Sequence, residues 1–332
     1  MFDIVCFGSA TLDIFADTFD RTKESKENKI MRYEHKISYP TGSKILINDL
    51  NLTIGGGGTN TALTFSRFGF KTAYCGGLGK DSSGMMIRSF LEENRIKFIG
   101  PMLDVKTNLS VILDSIEHDR TILAYKGSSN YLKFNQIPDL EQSQLIYSSS
   151  MMGESFLTFK KLVKLYSKKS VLIAFNPSEY QAKEGFEKLK DILIYCDFLI
   201  LNKEEAQDIL GDFNPDVAFL LRKLKPKLSL RSIVVITDAQ NGAYAIHGSK
   251  IYHAIPKKVK IIETTGAGDA FASAFIGGFL KDANIVSALK LGLANAESVI
   301  TNRGAKEIIL TYDDAKSLVK KRNYKVQDIS LK

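Results

Sequence analysis

Between residues 145 and 237, short apolar runs alternate with longer amphipathic stretches, and few architectures accommodate that rhythm. The apolar runs fall at 145–148, 171–175, 198–201 and 233–237, and helical spacing fills about 155–167, 183–195, 203–210 and 216–224. A run that is apolar at every position is buried on both faces, so these strands belong to a parallel sheet with helices on either side. The expected fold class is α/β: a doubly wound, mostly parallel sheet flanked by helices.

The first half fits this rhythm less well. Residues 3–8 (DIVCFG) read as a buried opening strand, and 71–77 as another strand. The segment 54–69 couples a glycine cluster to a helix whose apolar face is Ala62, Leu63, Phe65 and Phe68, ended by Gly69. Residues 83–94 form an amphipathic helix, and 109–125 alternate around a polar turn as a hairpin does. The strongly polar stretch 17–36 reads as an excursion from the core. That stretch is a loop or part of a flap, and the β-rich material near 30–48 and 100–126 is expected to form a small sheet apart from the main one. No internal repeat, low-complexity tract or linker divides the chain, so residues 1–332 are expected to make one domain.

Composition narrows the function classes. Hydrophobic residues at 44% and charged residues at 25% are an ordinary globular balance. The net charge of +8 is dominated by scattered lysines, and the densest basic run, 223–231, is interrupted by Leu and Pro. With no arginine-rich arm or zinc-finger spacing, a solvated basic surface explains this excess better than a nucleic-acid partner. Cys6, Cys75 and Cys196 sit within apolar stretches and cannot all pair, which reads as free thiols of a reducing compartment. No signal-type leader and no apolar run of membrane-spanning length is visible, so no membrane partner is expected and the expected location is the cytoplasm.

The sharpest motif is TTGAGDAF at 264–271. Phe271, Ala274, Phe275, Gly278 and Phe279 give the following segment a helical stripe. Small residues at the helix start let consecutive amides converge on one spot at its positive end, a ready anion hole. Asp269, in the first turn, can take a proton from an attacking hydroxyl there. Taken alone, Gly266 and Gly268 could equally form a tight turn, with Asp269 stabilising the helix start. The chain has no GxxxxGK[ST] cradle, and its GGGG run lacks the layout of a dinucleotide site.

TTGAGDAF together with IGGGGTNTALTFSRFG (54–69) resembles the two signature segments of the PfkB carbohydrate kinases, the ribokinase-like family. The resemblance extends to about residue 312 through GLGKDSSGMMIRSFLEENRI, AYKGSSN, LNKEEA and TDAQNGAYAI, in that order. It implies a ribokinase-like fold with a small β-sheet lid, formed here by insertions at about 12–50 and 100–128. It implies Asp269 as catalytic base, with the amides of Gly266, Ala267 and Gly268 as the anion hole. On the acceptor side it implies Gly55, Gly56 and Asn60 from the GGxGxN pattern, and Asp13 from GSATLD, where glycines admit a ligand and Asp and Asn bind hydroxyls. A strand-end turn at Asp13 and a helix-start role for Asn60 are the plain alternatives.

For the phosphate donor, Asn202 and Glu205 match an NxxE motif that organises Mg²⁺ through water, and the same spacing is also a helix capping box. Thr237 and Gly242 match a TxGxxGA segment lying along the nucleotide, although Ala239 stands where relatives carry Gly; a plain hairpin turning at Asn241-Gly242 is the alternative. By weaker analogy Asn295 reaches the adenine. Glu263 and the loop 301–306 stand where relatives hold a monovalent cation, which leaves K⁺ activation open.

The implied activity is an ATP- and Mg²⁺-dependent kinase acting on a hydroxyl, expected to be a primary CH₂OH, of a sugar or sugar derivative. A nucleoside (adenosine-like) kinase and a non-catalytic sugar- or nucleotide-binding relative are the alternatives. GGGGTNTA carries Gly57 and Thr59 where ribokinases have Lys and Ala, so the acceptor stays open. A homodimer paired through the lid edge is the implied assembly.

Overall fold

The computed structural model describes residues 1–17, 31–33, 36–38, 41–114, 120–302 and 308–330. Its backbone is a ten-stranded sheet. Seven strands run parallel, in the spatial order Ile233–Thr237, Phe198–Asn202, Leu172–Phe175, Leu145–Ser148, Ile4–Phe7, Thr72–Tyr74 and Lys97–Phe98. Three antiparallel strands, Ala243–His247, Lys250–Ile255 and Lys325–Asp328, extend it beyond Ile233–Thr237.

Alternation along the opening strand shows why the apolar runs are continuous. Val5 and Phe7 pack into one core cluster with Phe159, Ile173 and Leu199, whereas Ile4 and Cys6 pack into a second with Leu145, Tyr147 and Phe275. Both faces of the strand are therefore covered, as its sequence requires. The second cluster is closed by the helices Ala267–Asp282 and Ile285–Ile300, which approach closely because Gly278 faces Leu291 and Gly292 faces the Phe271 ring.

A separate four-stranded sheet is assembled from distant parts of the chain in the order Arg120–Tyr125, Asn108–Asp114, Thr11–Asp17 and Asp49–Gly55. Asn108–Asp114 runs parallel to Thr11–Asp17, and the other two pairings are antiparallel. The hairpin turn 115–119 and most of the polar excursion 17–36 lie outside the described residues. Within that excursion and its continuation, Met31–Tyr33 and Lys36–Ser38 pair as a short ribbon. On the side of the four-stranded sheet away from Asp13, Leu50, Leu52, Leu123 and Tyr125 are exposed.

The three cysteines are all buried and free. Among the described residues no helix is long and apolar enough to cross a membrane.

Candidate active site

The glycine-rich segment carries the chain from the small sheet into the main body. Strand Asp49–Gly55 ends, Gly56 turns with φ 97°, and helix Gly57–Arg67 starts. The amides of Gly57 and Gly58 donate to the side chain and carbonyl of Ser9 (3.3 and 3.0 Å), which docks the segment on the turn after the opening strand. Gly55 has a steric reason to lack a side chain. A Cβ there would lie 1.8 Å from Asp13 Oδ2, so the Asp13 carboxylate rests over the Gly55 backbone.

Helix Ala267–Asp282 supplies the other half of the site. Gly266, at φ 81°, caps its start, and Asp269 stands in its first turn. Asn60 Nδ2 donates to Asp269 Oδ2 at 2.9 Å across 209 residues of sequence. The two signature segments are thus joined by one hydrogen bond. A Cβ on Gly57 would lie 3.2 Å from Asp269 Oδ1 and 2.6 Å from Ser149 Oγ, so glycine is needed for that close approach as well. Asn60 Oδ1 is buried and has no hydrogen-bond partner among the described residues.

Gly266, Gly268 and Asp269 form one wall of a cavity of about 300 Å³. By helix geometry the first-turn amides have no intrahelical acceptor. Ala267 turns its N–H to Thr264 O (3.2 Å) and is not among the residues lining the cavity, whereas Gly266 and Gly268 on either side of it are.

Asn202, Glu205 and Thr237 line the same cavity. Asn202 Oδ1 accepts from Glu205 N (2.7 Å) and Glu205 Oε2 accepts from Asn202 N (2.9 Å), a complete capping box for helix Lys203–Leu210. The capping role is realised, and the carboxylate still reaches the cavity. Burial pushes the Glu205 carboxyl up to about 7 despite the Asn202 amide, with the charges of Glu204 and Asp269 adding to the rise. Lys203 pairs with Asp238 at 2.8 Å, tying this helix start to the segment after Thr237.

That segment departs from a two-residue hairpin. Ile233–Thr237 does pair with Ala243–His247, but through a 3₁₀ turn at Ala239–Asn241, and Gly242 follows at φ 97°. Ala239 adopts φ 41°, a left-handed backbone that costs an L-residue about 1–2 kcal/mol. Ala239→Gly is expected to stabilise the protein by about 0.5–1 kcal/mol, the relieved strain outweighing the freer unfolded chain. A lower urea midpoint for the variant would contradict that strain.

Asn295 lies elsewhere. It is fully buried, its Nδ2 donating to Ala270 O (2.9 Å) and its Oδ1 accepting from Leu310 N (3.0 Å), so it fastens the two long helices together and does not line the cavity. Glu263 is buried beside Ile300, whose carbonyl accepts from its N–H at 3.3 Å. Residues 303–306 of the partner loop lie outside the described residues.

Three further groups at the site were not singled out from sequence. Ser150 and Asn176 line the cavity and Ser149 packs against Gly57. Asn176 is oriented by Tyr147 OH (3.3 Å) and by its own donation to Ile200 O (2.9 Å). All three follow the carboxyl ends of parallel strands, where open α/β sheets bind ligands, and that position was the available signal.

The sequence matches the model of the "pfkB family carbohydrate kinase" over residues 1–311. A 5-dehydro-2-deoxygluconokinase of Shouchella clausii is 24% identical, over 97% of this chain and 97% of its own. Among solved structures, a ribokinase from Cryptococcus neoformans in complex with ADP superposes with TM-score 0.70 at 21% identity, covering 96% of this chain and 99% of that one. A nucleoside kinase of the ribokinase family from Methanocaldococcus jannaschii gives 0.75 at 18% identity, over 97% and 99%. With the paired sheets, the joined glycine and GAGD segments and this match over nearly the whole chain, the protein belongs to the pfkB family of carbohydrate kinases.

Proposed function

We propose that the chain transfers the γ-phosphoryl group of ATP to a hydroxyl, a primary CH₂OH, of a sugar or sugar derivative. The observation that carries this reading is the 2.9 Å bond from Asn60 to Asp269, which sets an acceptor-side residue against the candidate base. Asp269 would accept the hydroxyl proton as that oxygen attacks the γ-phosphorus in line and the bond to the ADP oxygen breaks. Charge on the transferring group would be met by the amides of Gly266 and Gly268 at the positive end of their helix. Asp13, Gly55 and Asn60 would hold the acceptor, and the four-stranded sheet, acting as a lid, would exclude water.

Donor-side residues are Asn202, Thr237 and Gly242. Two carboxylate residues lining one cavity, Asp269 and Glu205, fit the hard-oxygen preference of Mg²⁺, with Glu205 holding it through water; when bound, the ion neutralises phosphate charge. Asn295 acts by positioning helix Ala267–Asp282, and Glu263 is the residue through which K⁺ would act.

The test is ADP release from MgATP over a panel of ribose, fructose, a keto-deoxy sugar acid and adenosine. Turnover above the ATPase background with a sugar is expected. Turnover with adenosine alone would move the acceptor to nucleosides, and none with any member would sink the reading.

A further inference from the structure

We infer that Asn108 is a specificity-determining residue for the acceptor, its side-chain amide donating to one hydroxyl oxygen of the bound sugar. The inference rests on the kinase reading above.

Asn108 opens strand Asn108–Asp114 and lies beside Thr11 in parallel register, while Thr11 in turn lies opposite Gly55. Gly55, Thr11 and Asn108 therefore form one row across three strands, and residues in such a row share a face of the sheet. The Asp13 carboxylate rests over the Gly55 position on that same face. Asn108 and the Gly55 end of the row are two strand spacings apart, roughly 10 Å, a span that a monosaccharide can bridge.

The orientation of the Asn108 amide is fixed by its partners. Its Oδ1 accepts from the backbone amides of Gly127 (2.8 Å) and Ser129 (3.3 Å). Both partners are donors, so only the oxygen can face them, and the nitrogen must point the other way. That nitrogen is buried without an acceptor among the described residues, on a residue 1% exposed. Buried donors are almost always satisfied, and an unmet one is costly. Asn60 Oδ1 is the complementary case, a buried acceptor without a donor among the described residues. A sugar hydroxyl both gives and takes hydrogen bonds, so a polyol would satisfy the two orphans together.

Asn108→Asp separates this role from a structural one. The aspartate keeps an oxygen for Gly127 and Ser129 and replaces only the free donor. With the acceptor found in the panel, its KM is expected to rise about 10–100-fold while that of ATP stays within twofold. With the deoxy analogue lacking the contacted hydroxyl, wild type and variant should differ by less than twofold. Should Asn108→Asp not fold, the wild-type KM for the deoxy analogue is read instead; it is expected about 10–100-fold above that of the full acceptor, and an equal KM overturns the inference. A folded variant with unchanged acceptor KM overturns the inference while leaving the kinase reading intact. A wild type that turns over no member of the panel overturns both.

Discussion

Asp269→Asn is expected to lower kcat by about 10²–10⁴-fold, the usual worth of a positioned general base. The replacement is nearly isosteric, and its side-chain oxygen can still accept the bond that Asn60 Nδ2 makes to Asp269 Oδ2. What it removes is the capacity to take the proton of the attacking hydroxyl. Loss confined to kcat, with a melting temperature close to wild type, would identify an interaction made in the transition state. ATP turnover at saturating acceptor is the measurement, and a rate within tenfold of wild type would remove the base assignment.

Glu205→Gln should act in opposite directions on stability and on catalysis. In the folded protein burial raises the Glu205 carboxyl from 4.5 to about 7. Between those values the folded chain keeps a proton that the unfolded chain releases. Stability of the metal-free protein should therefore fall as pH rises from about 4.5 to 7, by up to roughly 3 kcal/mol from this group, and level off above 7. Glutamine keeps the oxygen that accepts from Asn202 N, so the capping box survives without the buried charge. Melts in metal-free buffer at pH 5 to 8 should give a wild-type-minus-variant difference that declines across this window, with the variant the more stable at pH 8. The same variant should lose at least about tenfold in Mg²⁺-dependent turnover, because a hard oxygen anion is gone from the cavity wall. A difference that is flat or rises with pH would refute the burial argument.

What the sequence made legible was chiefly local. The helix at 203–210 and the strands at 145–148 and 233–237 coincide with the structure because continuous apolar runs and helical spacing need only neighbouring residues. The helix expected at 183–195 is present as Gly185–Leu193, and a separate short helix, Glu179–Ala182, precedes it, the two divided where Gly185 takes φ 77°. The strand expected at 71–77 shrinks to Thr72–Tyr74, since Gly76 and Gly77 follow it. Asp13, Asn60 and Asp269 were found through motifs, yet the contact between the last two carries no local signature. Ser149 and Asn176 escaped notice because a polar residue after an apolar strand looks like any turn. Asn108 was hidden by an ordinary strand pattern, and its meaning appears only when the register beside Thr11 is known.

The bond between Asn60 and Asp269 spans almost two thirds of the polypeptide, and neither partner can find the other until the helices Gly57–Arg67 and Ala267–Asp282 have docked. Contacts so remote along the chain form only after costly loop closure. Recovery of catalysis after denaturation should therefore lag behind the return of helical signal, and a nascent chain lacking its last quarter would have no working centre at all.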